Sequence, residues 1–291
     1  MDKFLISSFN GITLAALYFI VASGFSLIFG VMRIVNLAHG SLYLAGAYLG
    51  WEVGDATGNW WLGLIVGALA MMLLGIVLQV GIFSWMQGED LRQAMITIGI
   101  SIVIADQMLA RYGGFAYQFP YPDFLRGATL IPVLGIRYPT YRLFLVVIAF
   151  VLGVLLWLLL SKTKLGMTIR AGIDDRDMLS ALGVNVARVF VVVFALGAFL
   201  AGFAGVIGGT AFSIIPGEDA RFLVASLVVV IVGGMGSLGG AAIGALLVGM
   251  ASQYSLAYVS TYAPLVTFAL MTVVLALRPR GLFGREAREG I

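Results

Sequence analysis

Few side chains in this sequence could do chemistry. His39 is the only histidine and has no partner at a spacing that would suit a metal site or a proton relay. The absence of cysteine excludes disulfides, thiolate metal sites and cysteine catalysis. The sequence also contains no phosphate-binding loop, zinc-binding helix motif, nucleophile elbow or dinucleotide-binding fingerprint. We therefore expect no enzyme activity, and any nucleotide hydrolysis that drives this protein must take place on another chain.

Two groups of polar residues interrupt otherwise apolar stretches. Asn36, His39 and Ser41 cluster at one break, and Thr97 and Ser101 are four residues apart, so they share one face of a helix. If the surrounding stretches cross a membrane, these positions are candidates for a solute pathway. For His39, hydrogen-bonded packing is the favoured interpretation, and a place in the pathway is the alternative.

Asp106 lies about one helical turn from the end of another apolar stretch. An ionisable residue inside a membrane segment is a functional candidate by default, so Asp106 joins the predicted pathway. The alternatives are that its side chain extends to the interface or pairs with Arg111. Glu52 and Asp55 are instead expected to form a solvated rim at the outer end of their helix.

The composition indicates which type of secondary structure holds these side chains in place. Hydrophobic residues make up 61% of the 291 residues and charged residues 11%, whereas a soluble domain carries about 25% charged residues. Long apolar runs recur that could each cross a bilayer as a helix, and the alternation of barrel strands is missing. The sequence predicts one all-α domain over residues 1–291. This domain is a polytopic transmembrane helical bundle with short or broken helices and about eight to ten membrane segments.

Nine apolar segments can be read from the sequence, at 9–30, 41–54, 60–86, 92–111, 141–161, 188–214, 222–235, 240–258 and 262–277. Two of them, 41–54 and 222–235, are short for a full span, and each adjoins a break, at 33–40 and 233–240. Irregular backbone at membrane depth is tolerated only where it is buried or lines a cavity, and short helices often mark transport sites. We predict pathway elements here, with ordinary turns between full spans as the equal alternative.

Charge is concentrated in one internal segment, residues 162–188, which holds eight of the 31 charged residues. This segment and the C-terminus contain most of the basic residues: Lys162, Lys164, Arg170, Arg176, Arg188, Arg278, Arg280, Arg285 and Arg288. Cytoplasmic loops are enriched in Lys and Arg, so both regions should be cytoplasmic. Alternation over nine crossings then places the N-terminus outside. The aromatic, proline-bearing loop 112–140 is also external, where it forms an interface belt or meets a partner.

Within the charged segment, residues 174–183 are predicted to form a short amphipathic helix. Asp174, Asp175 and Asp177 lie near its start, where the helix dipole favours acids, and Gly183 is a natural stop. The apolar face consists of Met178, Leu179 and Leu182. A short exposed helix gains little stability alone, so this face should enter a groove in another protein. The alternative is that the helix lies on the membrane or against its own bundle.

Small residues recur every four positions in two segments, which lets helix backbones approach closely, either inside the subunit or against a partner. The first set is Gly197, Ala201, Gly205 and Gly209. The second is Gly236, Gly240 and Gly244, with Ala241, Ala245 and Gly249 on an adjacent face.

Specific motifs occur at residues 24–43, 163–166, 175–185, 233–240 and 277–284. The first contains Arg-Ile-Val-Asn-Leu-Ala-His-Gly and the last reads Leu-Arg-Pro-Arg-Gly-Leu-Phe-Gly. Through these motifs, nearly the whole chain resembles the permease subunits of branched-chain amino acid ABC importers, specifically the LivH-type half of the permease pair.

The resemblance implies that residues 174–185 are a coupling helix that docks in a cleft of a cytoplasmic ATPase. Its implied contact residues are Asp174, Asp175, Arg176, Asp177, Met178, Leu179, Ala181, Leu182 and Gly183. The implied partners are a second homologous permease subunit, two ATPase subunits, a periplasmic substrate-binding protein and membrane lipid, but no nucleic acid. ATP and magnesium would be bound by the ATPase subunits, and this chain would bind no cofactor. Its implied location is the inner membrane of a bacterium, with the C-terminus in the cytoplasm.

Two departures from the family pattern leave the substrate open. The turn at 87–91 is acidic where the family is often basic, and Asp106 stands where a neutral polar residue is expected. Branched-chain or related amino acids are the expected substrates, and importers of urea, amides or aromatic acids share the framework. An ion- or proton-driven secondary transporter, with His39 and Asp106 as its ion-site candidates, is the first rival. A membrane scaffold without transport activity is the second.

Overall fold

A computed structural model describes residues 2–86, 88–120, 122–132, 135–174 and 176–284, and the side chains of Asp2 and of residues 173–177 lie outside the description. The described residues fold into helices with one small hairpin. The helices are α1 (Asp2–Met32), α2 (His39–Thr57), α3 (Trp60–Gly81), α4 (Asp90–Tyr112), α5 (Thr140–Lys162), α6 (Lys164–Asp174), α7 (Arg176–Ala181), α8 (Val186–Phe212), α9 (Glu218–Gly233), α10 (Leu238–Tyr258) and α11 (Ala263–Leu277). Single 3-10 turns occupy Phe83–Met86, Asp123–Leu125 and Ser260–Tyr262.

The nine predicted segments correspond to α1–α5 and α8–α11, which confirms the helical transmembrane bundle. Within the described ranges, seven of these helices are long and apolar enough to cross a membrane, and α2 and α9 are the two that are not. These two are the segments predicted to be short. The protein is therefore a multi-pass membrane protein, and α2 and α9 are the helices that lack the length or apolar composition of a full span.

The centre of the bundle is formed by α1 and α8, the most deeply buried of the seven spans. Helices α2, α3, α9 and α10 surround them, whereas α4, α5 and α11 are exposed over most of their surface within this chain. An apolar exposed surface on a membrane helix faces lipid or another membrane subunit. The least buried helices therefore mark the outside of this subunit.

The small-residue faces pack helices together inside the subunit. A Cβ at Gly197 would clash with Ile28 of α1, and Gly205 lies directly against the carbonyl oxygen of Tyr43 in α2. In α10, Gly249 gives Ala15 of α1 the same close approach. The sequence allowed these faces to pack either inside the subunit or against a partner. These glycines pack helices together inside the subunit.

Two of the sequence motifs meet at the end of α9. The backbone amides of Leu282 and Phe283 donate to the carbonyl oxygens of Val232 and Gly233, both at 2.9 Å. The last carbonyl groups of a helix lack intrahelical partners, so the segment after α11 satisfies two of them. Gly234 has φ 105° and lies against the backbone of residues 283–284, where a side chain would not fit.

The loop between α4 and α5 contains structure that the all-α prediction missed. Strands Ala128–Ile131 (β1) and Ile136–Pro139 (β2) form an antiparallel hairpin that pairs Thr129 with Tyr138. The side chain of Phe119 is fully buried between Gly54 and Gly63, which lack the side chains that would exclude it. Part of the aromatic loop thus packs against the end of α2 and the start of α3. Its predicted contact with an external partner stays a prediction.

Candidate functional site

The first polar break carries the chain from the end of α1 back into the bundle. Arg33 has a left-handed backbone (φ 56°), and the following residues up to Ala38 are non-helical. The Oδ1 of Asn36 accepts a hydrogen bond from the Ala38 amide at 3.1 Å, which makes the turn that starts α2. His39 Nε2 lies 3.0 Å from the carbonyl oxygen of Val21. Since Val21 is about 16 Å along α1 from Met32, α2 begins at an interior depth.

Helix α4 closes this break through Thr97. The Thr97 hydroxyl accepts a hydrogen bond from the amide of Leu37 at 3.1 Å and donates one to the Ala94 carbonyl at 2.7 Å. The structure therefore brings together the two polar groups of the sequence, at Asn36 and Thr97, although they are far apart along the chain. Ser101, one turn further along α4, is half-buried.

His39 is packed as a core residue. Its side chain is fully buried, and its ring meets the edge of the Phe25 ring at 5.6 Å. Because the Val21 carbonyl can only accept, Nε2 carries the proton and donates to it, and Nδ1 has no hydrogen-bond partner among the described residues. Gly24 makes room for the imidazole, since a Cβ there would lie 3.1 Å from His39 Cε1. Ser41 is also fully buried, and its hydroxyl donates to the carbonyl of Ala38.

The starting ends of α2 and α9 meet beside the middle of α1. A Cβ at Gly40 would overlap the carbonyl oxygen of Asp219 in the first turn of α9. Phe222 stacks on Tyr43 with ring centroids 4.2 Å apart and meets the edge of Tyr18 at 6.0 Å. From this junction the two helices run to opposite ends of the bundle. The predicted alternation of sides along the chain stays a prediction.

Sequence reasoning missed the charges at this junction. Arg221 Nη1 donates to both carboxylate oxygens of Glu218, at 3.0 and 3.2 Å, and the guanidinium lies over the Phe222 ring. The available signal was the run of charges at residues 218–221, directly before the predicted short segment. A charged pair at this depth must face protein or water rather than lipid, so Glu218, Asp219 and Arg221 join the pathway candidates.

Asp106 is exposed on α4, away from the break. The alternative that it pairs with Arg111 is wrong, because Arg111 Nη2 donates to Glu52 of α2 at 2.6 Å. Tyr112 donates to the other oxygen of that carboxylate at 2.5 Å. Glu52 therefore links α2 to α4 while its side chain stays 41% exposed, and Asp55 is exposed as expected of a solvated rim. The described residues contain no group of His, Cys, Asp or Glu that could hold a metal ion.

The charged segment contains two helices where one was predicted. Helix α6 covers Lys164–Asp174, and α7 covers Arg176–Ala181, so the predicted helix from 174 to 183 is too long. Asp175 lies outside the described residues, as do the side chains of Asp174, Arg176 and Asp177. Gly183 has φ 80°, and the amide of Val184 donates back to the Leu179 carbonyl at 3.3 Å, so the helix stop at Gly183 is confirmed.

The predicted apolar face of this helix is divided between two environments. Met178 and Leu182 are 61% and 73% exposed, together with Ala181, whereas Leu179 is 5% exposed. Leu179 packs towards Gly172 of α6, where an added Cβ would lie 3.4 Å from its side chain. It anchors α7 to its own chain, whereas Met178 and Leu182 keep most of their surface exposed.

Comparison with known proteins identifies the family. The sequence profile described as "Branched-chain amino acid transport system / permease component" matches residues 7–275. This chain belongs to that family of permeases. No solved structure matches the chain.

The relatives of this permease align over almost its whole length. LivH of Escherichia coli K12, named a high-affinity branched-chain amino acid transport system permease protein, is 28% identical over 99% of this chain and 98% of the relative. BraD of Pseudomonas aeruginosa, with the same description, is 26% identical over 97% and 96%. LivM of Escherichia coli K12 is 26% identical over 93% of this permease and 68% of the relative. Similarity to both LivH and LivM fits a subunit that pairs with a homologous permease.

Proposed function

We propose that this permease is a transmembrane subunit of an ATP-driven importer for branched-chain or related amino acids. The alignment to permeases of branched-chain amino acid transport systems over nearly the full chain carries this proposal. The substrate class rests on the names of those relatives. The bundle itself supports a transport subunit, because two short helices start at an interior junction lined by polar and charged side chains.

The transport pathway would run along the exposed side of that junction, between this subunit and a second permease. Arg221 is exposed within this chain, although it lies beside the middle of α1. A guanidinium at this depth is stable only in contact with protein or water, which a paired subunit and a polar pathway would provide. Asn36 and Thr97 would act behind this surface by fixing the start of α2.

Coupling to ATP would pass through α7. Its exposed Met178 and Leu182 lie within the charged segment, residues 162–188, and Leu179 ties the helix to α6. The groove for these side chains would belong to one of two cytoplasmic ATPase subunits that bind ATP and magnesium. A binding protein outside the membrane would deliver the substrate. The C-terminus would then be cytoplasmic and the N-terminus external, in the inner membrane of a bacterium.

The experiment is co-purification with candidate ATPase subunits from the same organism. Interface anchors contribute about 2 kcal/mol or more, so Leu182→Asp should weaken association about thirtyfold. Met178→Asp should act in the same direction. Met167→Asp is the matched control, since Met167 is similarly exposed but lies on α6. Association that is unchanged in both α7 variants would refute coupling through this helix.

A further inference from the structure

The loop that follows α4 is paired with the backbone that leads into α9. The amide of Tyr117 donates to the carbonyl oxygen of Ile214 at 2.9 Å, and the amide of Ile214 donates to the carbonyl oxygen of Tyr117 at 2.8 Å. These two residues form an antiparallel bridge outside the strands of the hairpin. We call residues 113–119 the strap and residues 213–217 the lead-in of α9. The strap is therefore attached to the segment that positions the first turn of α9.

The strap is also held by an aromatic cluster on α2 and α4. The Tyr117 ring lies against Trp51 with ring centroids 4.4 Å apart. It also makes edge contacts with Tyr48 and Tyr112, at 5.9 and 6.0 Å. The Tyr117 hydroxyl donates to the backbone carbonyl of Tyr112 at 2.8 Å. Because Tyr48 and Tyr112 are buried and Tyr117 is half-buried, the Tyr117 ring lies at the outer surface of this cluster.

The lead-in lies between a fixed helix end and the charged junction. Trp60 Nε1 donates to the Thr210 hydroxyl at 2.9 Å, which holds the last turn of α8 to α3. Ser213 and Gly217, at the two ends of the lead-in, both have a left-handed backbone, with φ 74° and 94°. This conformation is costly for a residue with a side chain, so the surrounding contacts keep Ser213 in it. A change in those contacts can therefore redirect the lead-in where it leaves α8.

The first turn of α9 would follow such a change, because it begins directly after the lead-in. This turn carries Glu218, Asp219 and Arg221, the charged side chains of the junction. The side chain of Ile214 is buried and fits against Gly209 of α8, where an added Cβ would lie 2.6 Å from it. Ile214 is thus held by the bundle through its side chain and by the strap through its backbone.

The contacts of the strap allow it to detach at one end. A backbone hydrogen bond makes only a small net contribution where water can replace it. Gly113 begins the strap with φ 71°, a conformation that glycine adopts without cost, so the chain can rotate there. At the other end Phe119 is fully buried, so the strap stays attached to the bundle. The bridge at Tyr117 lies between this free end and this fixed end.

We propose that the strap is a gate that detaches from the lead-in during each transport cycle. In the attached state the bridge fixes the direction of the lead-in, and with it the position of the first turn of α9. Release lets that turn move relative to α2. The proposal rests on the proposed transport function, because it assigns a conformational step to that function.

The test is a reversible cross-link between the strap and the lead-in, in a chain that has no natural cysteine. Tyr117→Cys combined with Ile214→Cys places the thiols on a hydrogen-bonded antiparallel pair. The Cα atoms of such a pair are about 5.5 Å apart, a separation that a disulfide can span. Oxidation should form the disulfide in the purified chain. In the assembled transporter, leucine uptake should be lost on oxidation and should return on reduction.

The matched control is Leu130→Cys combined with Arg137→Cys, which joins facing residues of β1 and β2. Both positions are exposed, and oxidation of this pair should leave uptake unchanged. Equal uptake by the oxidised and reduced forms of the first variant would show that the bridge is permanent and would overturn the proposal. Failure of that disulfide to form would overturn it too. Absence of ATP-driven uptake by the unaltered transporter would instead count against the proposed function, on which the gate rests.

Hydrogen exchange guards against a double variant that does not fold. In the unaltered transporter, the amides of Tyr117 and Ile214 should exchange faster during ATP-driven turnover than without nucleotide, because both donate in the bridge. The amides of the β1–β2 hairpin should exchange at the same rate in both states. Unchanged exchange at Tyr117 and Ile214 during turnover would contradict the gate.

Discussion

Gly40 and Asp219 are in direct backbone contact, although they belong to two short helices that are far apart in the sequence. A Cβ at Gly40 would overlap the Asp219 carbonyl oxygen, and backbone cannot move aside as a flexible side chain can. The contact fixes where α2 and α9 begin relative to each other. This junction organises the polar side chains that we assign to the transport pathway.

Gly40→Ala should therefore separate the two helix starts. Overpacking a well-packed core costs about 1–3 kcal/mol, so the thermal unfolding temperature and the uptake rate should both fall. Gly99→Ala is the matched control, because Gly99 lies in α4 with nothing within 4 Å of an added Cβ. It should be neutral or slightly stabilising. Equal stability in the two variants would show that the junction tolerates separation.

Thr97→Val should destabilise the start of α2. The change keeps the shape of the side chain but removes the acceptor for the Leu37 amide, and a buried donor without a partner costs about 1–3 kcal/mol. Thr97→Ser retains the hydroxyl and should keep most of the stability. Thermal unfolding of the purified protein measures both. If Val and Ser variants unfold at the same temperature, the hydrogen bond between α4 and the break contributes nothing.

The bulky changes Asn36→Leu, Thr97→Leu and Ser101→Leu test whether the polar break is needed for transport. Asn36 and Thr97 are buried and fix the start of α2 behind the proposed pathway, so uptake should fall while ATPase association is retained. Association is measured by co-purification and uptake with radiolabelled leucine. Unchanged uptake in all three variants would show that transport does not depend on this break.

Arg221→Gln should reduce uptake more than the double variant Glu218→Gln with Arg221→Gln. Removing one member of an ion pair leaves the other charge without its partner at membrane depth, whereas removing both leaves no charge. We expect about a tenfold loss in the single variant, which corresponds to about 1.4 kcal/mol, and partial recovery in the double variant. Additive losses would mean that the two side chains act independently.

The natural absence of cysteine makes the topology directly measurable. Leu130→Cys places a thiol on the exposed hairpin, and Ala181→Cys places one at the end of α7. An impermeant maleimide should label the first in intact cells and the second only in inverted vesicles. The reverse pattern would invert the predicted orientation.

Hydropathy was enough to predict the nine segments and the two short helices. Segment lengths and the polar breaks beside 41–54 and 222–235 are local properties, so they can be predicted from a single sequence. Packing partners are not local. The pairing of Glu52 with Arg111 joins different helices, whereas the sequence alone offered only the nearby Asp106 as an alternative partner for Arg111.

The charged segment illustrates the same limit. The spacing of Met178, Leu179 and Leu182 indicates an apolar face, but not whether that face meets its own chain or a partner. The fold places Leu179 inside and leaves the other two exposed.

The most direct test of the account is leucine uptake by proteoliposomes that contain this chain, its partner permease, both ATPase subunits and the binding protein. Uptake should require ATP on the side of the membrane where the ATPase subunits are bound, and it should persist without a proton gradient. It should fall strongly in Leu182→Asp but not in Met167→Asp. Uptake that continues without the ATPase subunits and collapses when the proton gradient is dissipated would contradict the account.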